Sequence, residues 1–297
     1  MARIRCSVGI MAHNEGSNIG RLLHSIVEQS LHSVEISQII VVASGCTDNT
    51  ETIVRQWEEK DSRIRAIVQS RREGKASAIN LFLAAAHEEI MVLSSADLLP
   101  DAGTIEAIVA PFTDAEIGMT TSRPVPVNDD RTFMGYAAHL LWGLHHQINL
   151  TGFKAGEMIA FRKVFSRIPY HTSVDEASME PLIRGQGYKV KYIPEALVYN
   201  KGPETVKDFL KQRRRIYSGH LAIRDEIGYT VSTLGASRIF RLLVRNLDIR
   251  PRQFAWTWII VGLEAYSRFL GVRDYKAHRD HSVWEIAETT KRLQYPA

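Results

Sequence analysis

The side chains of this 297-residue chain that are able to do chemistry gather in a few short segments. The stretch "IMVLSSADLLPD" (90–101) passes from apolar residues through Ser94 and Ser95 to Asp97 and Asp101. A lone Asp at a strand end is often a turn former or a helix cap. The loop "RREGK" (71–75) collects Arg71, Arg72 and Lys75, which suit an anionic ligand or plain solvation. Asp175 and Glu176 are adjacent acids, and "KQRRR" (211–215) is a second cationic run. Carboxylates exchange protons and hold cations, and Lys and Arg neutralise phosphates, so the arrangement of these segments matters more than any one of them.

The elements between them read as a repeating pattern. "RCSVGIMA" (5–12) is a β-rich run, followed by Ile19, Leu22, Leu23, Ile26 and Val27 at helical spacing. "SQIIVVA" (37–43) then "ETIVRQWEEK", "RIRAIVQS" then "ASAINLFLAAAHEE", and "IMVLSS" then "AGTIEAIVAPF" continue the cycle. Continuous apolar strands alternating with helices predict an α/β fold, a mostly parallel, Rossmann-like sheet with helices on both faces. In such sheets ligands sit beyond the carboxyl ends of the strands, where "HNEG", "SGCTDN", "RREGK" and "SSAD" all fall. Asp97 therefore lies at the functional rim. GxGxxG and GxxxxGK[ST] are both missing, which sets aside a dinucleotide fingerprint and a phosphate loop.

Past about residue 125 the alternation loosens. Residues 133–150 read as a helix rich in aromatics and histidine, "FKAGEMIAFRK" as a turn and strand, "VDEASMEPLIRGQG" as a helix stopped by Gly, "YKVKYIP" as a strand, and the segment after Pro203 as a helix. The net charge of +4 is mild, and no nucleic-acid partner is expected. Two cysteines without CxxC spacing fit a reducing cytoplasm and rule out a thiolate metal site. The N-terminal run reads as a first strand, not a signal peptide.

In order and spacing, "VGIMAHNEGSNI", "VVASGCTDNT", "REGKASAIN", "SSAD", "VDEASMEPLIRGQGYKVKYIPEA" and "QRRRIYSG" resemble family 2 glycosyltransferases, nearest the branch with cellulose and hyaluronan synthases. The resemblance covers roughly residues 4–220. It implies a GT-A fold, a hexosyl transfer with inversion from a nucleotide-diphosphate sugar, foremost a UDP-sugar, to a hydroxyl acceptor, and Mg2+ or Mn2+ as cofactor. Residues 1–225 would form the GT-A domain, with 1–124 as the nucleotide-sugar half and 125–225 as the acceptor half, and residues 226–297 a helical C-terminal extension.

Carried over residue by residue, the resemblance makes Asp97 the metal ligand of a DxD-like triplet whose first acid is Ser95, with Ala96 between them. Ala12, His13 and Glu15 would flank the base; the plainer reading of His13 and Glu15 is a loop residue and a helix N-terminal charge. Ala43 and Ser44 stand where the family's turn has acids that grip base and ribose. Lys75 faces the diphosphate. Glu176 takes the position of the catalytic base, with Asp175 as the neighbour that could serve instead, or cap the helix. Gln212 and Arg215 belong to a QxxRW-like motif in which Ile216 replaces Trp; a solvated helix face would explain the same cations. Asn200 stands where relatives often have His. Gly156 matches a turn near the acceptor, or is simply a backbone position that needs glycine.

Three histidines in the 133–150 helix invite a metal reading, but the adjacent His145 and His146 cannot share a helix face. His139 and Trp142 fall on one side, as an acceptor floor or as ordinary packing. Residues 236–272 mix Trp256, Trp258 and Phe254 with arginines. Phe254 to Leu263 is too short an apolar run for a spanning helix. The segment reads as an amphipathic helix at an anionic membrane surface, a homodimer interface or a helix covering the core. Expected partners are thus the nucleotide-sugar donor, a sugar, lipid-linked or small-molecule acceptor, and either a bilayer or a second copy. The expected location is the cytoplasm, with peripheral attachment to the inner face of the membrane as one option.

Overall fold

The computed structural model describes residues 3–170, 172–229, 236–279, 281, 283, 288–291 and 293. The remainder of the expected 226–297 extension lies outside the described residues. Strands β1 (Ile4–Ala12), β2 (Val34–Ser44), β3 (Ile64–Gln69), β4 (Ile90–Ser95), β5 (Leu99–Pro100), β6 (Ile117–Pro126), β7 (Ile159–Arg162) and β8 (Lys189–Asn200) form one sheet. Its order is β3-β2-β1-β4-β7-β6-β8-β5. β1 to β4 are mutually parallel, as the four expected cycles require, and β8 runs parallel to β6. β7 is antiparallel to both β4 and β6, and β5 to β8. The sheet is the mostly parallel α/β sheet expected, with β7 as a reversed strand joining its two halves.

β6 had no counterpart in the sequence reading. Its centre holds Thr120, Thr121 and Ser122, all fully buried, and Pro124 and Pro126 follow. Hydroxyls in a strand core disrupt the apolar run that periodicity detects. Here Thr120 Oγ1 is satisfied by donating to Ile108 O at 2.6 Å.

Helix α1 (Ile19–Val27) buries Ile19, Leu22, Leu23 and Ile26 completely, the i, i+3, i+4, i+7 stripe read from the sequence. Each such side chain contributes about 1.5–3 kcal/mol on burial. α1, α2 (Thr50–Lys60) and α4 (Thr104–Val109) cover one face of the sheet, and α3 (Lys75–Ala85) and α6 (Asp175–Arg184) the other. A third apolar cluster joins α5 (Phe133–Asn149), α7 (Val206–Ile227) and α9 (Pro251–Lys276) through Met134, Ala137, Phe209 and Ile260.

The C-terminal region is two helices, α8 (Ala236–Arg245) and α9, where one amphipathic segment was anticipated. Pro251 opens α9, suited to the first helical turn because its missing N–H has no intrahelical partner there. α9 lies along α7, so closely that a Cβ on Gly271 would stand 2.8 Å from Arg214 O. It therefore covers the core on one side. On the other, Phe254, Trp258, Ile259, Tyr266 and Phe269 are exposed. Among the described residues no helix is long and apolar enough to cross a membrane.

Candidate active site

A cavity of about 1020 Å³ opens at the carboxyl ends of β1, β2 and β4. Ala12, His13 and Glu15 follow β1, Ser44 ends β2, Lys75 begins α3, and Ser95, Ala96 and Asp97 leave β4; all line the cavity. Glu176 of α6 and Gln212 and Arg215 of α7 line the opposite wall. Every expected site residue except Asp175 thus reaches one space. Ala43 is buried and Ser44 alone of that pair faces the cavity.

The loop after β1 is held locally. His13 Nδ1 lies 2.7 Å from Ser44 O, and burial lowers the His13 pKa against that hydrogen bond. Asn14 adopts φ 52° and its amide pairs with Thr47, Oδ1 accepting from Thr47 N at 2.7 Å. Gly16 N donates to Asp48 Oδ2 at 2.9 Å; any Cβ there would strike Asn49 Oδ1. Ser44 Oγ is buried without a partner among the described residues, a hydroxyl still available to a ligand.

Carboxylates crowd the space beyond. Burial, then Asp97, push Glu15 up to about 7. Burial raises Asp97 despite the opposing fields of Lys75 and Lys291, and Glu176 adds to the rise. Burial, then Asp97 and Glu176, bring Glu157 to about 7. Four acids in one low-dielectric space repel one another, a surplus of negative charge that a cation relieves.

Lys75 is the cation placed among them. Its Nζ lies 2.5 Å from Glu176 Oε1 and 4.0 Å from Asp175 Oδ2. Burial alone would lower its pKa, but Glu176 and Asp175 outweigh it and raise the value. Asp175 is fully buried behind Glu176. Neither of its oxygens has a hydrogen-bond partner among the described residues, and it makes no side-chain cap for α6. The helix-capping alternative for Asp175 is therefore not what the fold uses.

The three consecutive arginines of α7, Arg213 to Arg215, separate by function. Arg213 donates to both oxygens of Glu264, at 2.8 and 2.5 Å, and Arg214 to both of Asp274, at 2.7 Å each, pinning α9. Neither is a solvated surface cation. Arg215 turns to the cavity and donates to Ser173 O at 3.1 Å; burial brings it down to about 10 against the pull of Asp175, Glu176 and Glu157. On α5, Trp142 shares the cavity wall with His145, packed edge-on at 5.1 Å. His139 instead meets Asn128 O at 2.9 Å and is not among the cavity-lining residues, so of the expected pair Trp142 alone reaches the cavity and His139 serves packing. His146 bonds Tyr192 Oη at 2.7 Å. Gly156 lines the cavity with its N–H donating to Thr121 Oγ1 at 2.7 Å; a Cβ would press against Ser122 O at 3.2 Å.

Glu157 and Lys291, which line the cavity, had no assigned place in the sequence reading. Glu157 accepts from Asn200 Nδ2 at 3.3 Å, leaving Asn200 Oδ1 buried without a partner among the described residues. Lys291 donates from Nζ to His13 O (2.6 Å), Asn14 O (2.9 Å) and Glu15 Oε1 (2.8 Å). Its own carbonyl accepts from Asn18 Nδ2 at 2.5 Å. Thr289, two residues earlier, donates to Asp208 Oδ2 at 2.9 Å. This short segment thereby ties the loop after β1 to the start of α7. Only the adjacency of Glu157 to Gly156 hinted at any of them.

Among the described residues no three His, Cys, Asp or Glu side chains converge as a ready metal cage. Two hard oxygen donors line the cavity: the Asp97 carboxylate under like-charge pressure, and the orphaned Asn200 Oδ1. This is a donor set that fits a hard divalent cation.

A model of the glycosyl transferase family 2 matches residues 7–176, and one of glycosyl transferase family group 2 matches residues 114–276. A poly-beta-1,6-N-acetyl-D-glucosamine synthase of Staphylococcus aureus is 23% identical over 238 residues, 75% of this chain and 57% of that protein. The chain thus spans little more than half the length of this curated relative. Among solved structures, a mannosyltransferase from Pyrobaculum calidifontis in complex with GDP-Man and Mn2+ superposes with a TM-score of 0.66 at 20% identity, over 94% of this chain and 88% of that one. A glucosyl-3-phosphoglycerate synthase from Mycobacterium tuberculosis, in complex with Mn2+, UDP and glucosyl-3-phosphoglycerate, gives 0.52 at 20% identity, over 76% and 81%.

Proposed function

The chain belongs to glycosyl transferase family 2, and from that premise we propose that it moves a hexosyl group, with inversion, from a nucleotide-diphosphate sugar to an acceptor hydroxyl. UDP-sugars are the foremost donors. The observation that carries this reading is the meeting of Lys75, from the nucleotide-side half 1–124, with Glu176, from the acceptor-side half 125–225, in the cavity that Asp97 also lines.

His13, Glu15 and Ser44 surround the nucleoside end. Lys75 and Arg215 face the diphosphate and stabilise the charge that grows as it leaves. Glu176 accepts the hydroxyl proton while the new bond to the anomeric carbon forms and the bond to the diphosphate oxygen breaks. Asp175, out of the cavity, holds Lys75 from behind. Asp97, with Asn200 Oδ1, would hold Mg2+ or Mn2+, which when bound neutralises the leaving diphosphate. The relatives' complexes with Mn2+ and with GDP-Man or UDP support donors and cofactor of this kind. The arginines and exposed aromatics of α8 and α9 favour an anionic bilayer as the surface on which the chain works.

Ala43, Ser44 and Ser95 stand in place of family acids, which motivates a second reading: a nucleotide-binding or partner protein weakened in catalysis. A screen of donor hydrolysis with UDP-, GDP- and dTDP-sugars, with and without Mn2+, separates the two. Turnover of one donor is expected; nucleotide binding with no turnover of any donor would establish the second.

A further inference from the structure

The same cavity is also lined by residues of α5, α7, α8 and α9 that the donor reading leaves without a purpose, and these form a second arm. It runs between α5, α7 and α9. Lys154 enters it from the turn before β7, its backbone N–H fixed by Asn149 Oδ1 at 2.8 Å. The Lys154 ammonium has no hydrogen-bond or ion-pair partner among the described residues, and burial, reinforced by Arg213, brings it down to about 8. His220 of α7 is 6% exposed, lines the same arm, and also makes no hydrogen bond to a described residue. Arg213 and Arg268 close the arm, and both turn to one acid: Glu264 Oε1 is 2.5 Å from Arg213 Nη2 and 3.8 Å from Arg268 Nε. Glu264 is thus shared by Arg213 and Arg268, and Lys154 feels Glu264 and Glu157 only through their fields, with no direct partner among the described residues. A half-buried ammonium without a direct partner favours an anion beside it, so the arm is suited to receive one.

The rest of this part of the cavity is aliphatic. Leu140, Leu144 and Ile148 of α5, Leu243 of α8, and Ile260 and Val261 of α9 line it. Lys154 and Glu176 both lie within the field of Glu157, so a group held in the arm is next to the transfer chemistry.

We propose that this arm is the acceptor subsite and takes an amphiphilic anion: a phosphate or carboxylate received by Lys154 and His220, with an aliphatic portion against α5, α8 and α9. The inference rests on the glycosyl transfer proposed above, because the acceptor's hydroxyl must reach Glu176 while its anionic group is held.

The test is calorimetric titration of the full chain with octyl phosphate, inorganic phosphate and octyl glucoside, each below its aggregation threshold, with UDP, GDP and dTDP titrated separately. Octyl phosphate is expected to bind at least about tenfold more tightly than either inorganic phosphate or the neutral octyl glucoside. Lys154→Met is expected to weaken octyl phosphate by about tenfold or more, the scale of one charged hydrogen bond, while UDP affinity stays unchanged. Lys154→Arg should restore much of the loss, and His220→Gln supplies an independent variant if Lys154→Met does not fold. Equal binding of octyl phosphate and octyl glucoside, or octyl phosphate affinity indifferent to both Lys154→Met and His220→Gln, overturns the subsite. Inorganic phosphate binding as tightly as octyl phosphate overturns the amphiphile. Octyl phosphate binding without any binding of UDP, GDP or dTDP would leave the subsite standing and remove the donor reading instead.

Discussion

Lys75 Nζ meets Glu176 Oε1 at 2.5 Å, joining the first turn of α3 to the first turn of α6 across 101 positions of sequence. In the free protein the ammonium neutralises the carboxylate proposed as base. An arriving diphosphate competes for the same ammonium and so frees Glu176 when a donor is in place. Glu176→Gln is expected to lower turnover by roughly 10²–10⁴-fold with donor affinity nearly unchanged. Lys75→Met should instead weaken the donor. Single-turnover kinetics and donor titration separate these effects; full turnover in Glu176→Gln with loss in Asp175→Asn would move the base to Asp175.

Asp97 is pressed by burial and by Glu176, and Lys75 and Lys291 oppose that pressure. Mn2+ is expected to increase the thermal stabilisation by nucleotide sugar, and Asp97→Ala to abolish that increase. An undiminished metal response in the variant would remove Asp97 from the metal site.

Asp175 offers a pH test with a definite sign. Burial raises it from 3.8 to about 7, with Lys75 opposing. The folded chain therefore binds more protons than the unfolded chain between those values. Its contribution to stability is complete below about pH 4, falls as pH rises toward 7, and stays low above. Asp175→Asn should flatten that slope and stabilise the fold at pH 8 by roughly 1–3 kcal/mol, the cost of an unsatisfied buried group. Denaturant titrations from pH 4 to 8 measure it; a variant less stable than the parent at pH 8 would show that Lys75 needs this carboxylate more than burial opposes it.

Lys291 satisfies two loop carbonyls and Glu15 at once. Its removal leaves those acceptors to solvent and loosens the loop that flanks the nucleoside. Lys291→Met should raise KM for donor several-fold with a smaller change in kcat, and Lys291→Arg should recover part of it. A pure kcat effect would argue that the segment acts on chemistry and not on the loop.

Phe240 of α8 and Trp258 of α9 are 55% and 41% exposed, with Arg241 and Arg245 exposed nearby on α8. Flotation with anionic vesicles is expected for the parent chain and reduced in a Phe240→Glu, Trp258→Glu double variant. Equal recovery of both with lipid would exclude this face as the contact.

Much of the donor side was legible without coordinates. Ala12, His13, Ser44, Ser95 and Asp97 each end or follow an apolar strand, and parallel strands must deliver their carboxyl ends to one rim. Local periodicity reports how a single element is buried, and here that sufficed. It also carried the helices bearing Lys75, Glu176 and Arg215 to within a residue or two of their observed starts.

Tertiary structure decided what periodicity cannot register. β6 was hidden because its buried hydroxyls look polar, and the reversal of β7 depends on which edge was open when the chain returned. "RRR" reads as one cationic block, yet Arg213 and Arg214 are held by acids of α9 while Arg215 turns to Ser173 O, since successive helical residues point about 100° apart. Lys291 reaches Glu15 from 276 positions away, and Lys154 meets no hydrogen-bond or ion-pair partner among the described residues of α5, α7 and α9. Composition and spacing determine which groups are present and on which rim; only the packing of remote segments determines which charges meet a partner and which are left for a ligand.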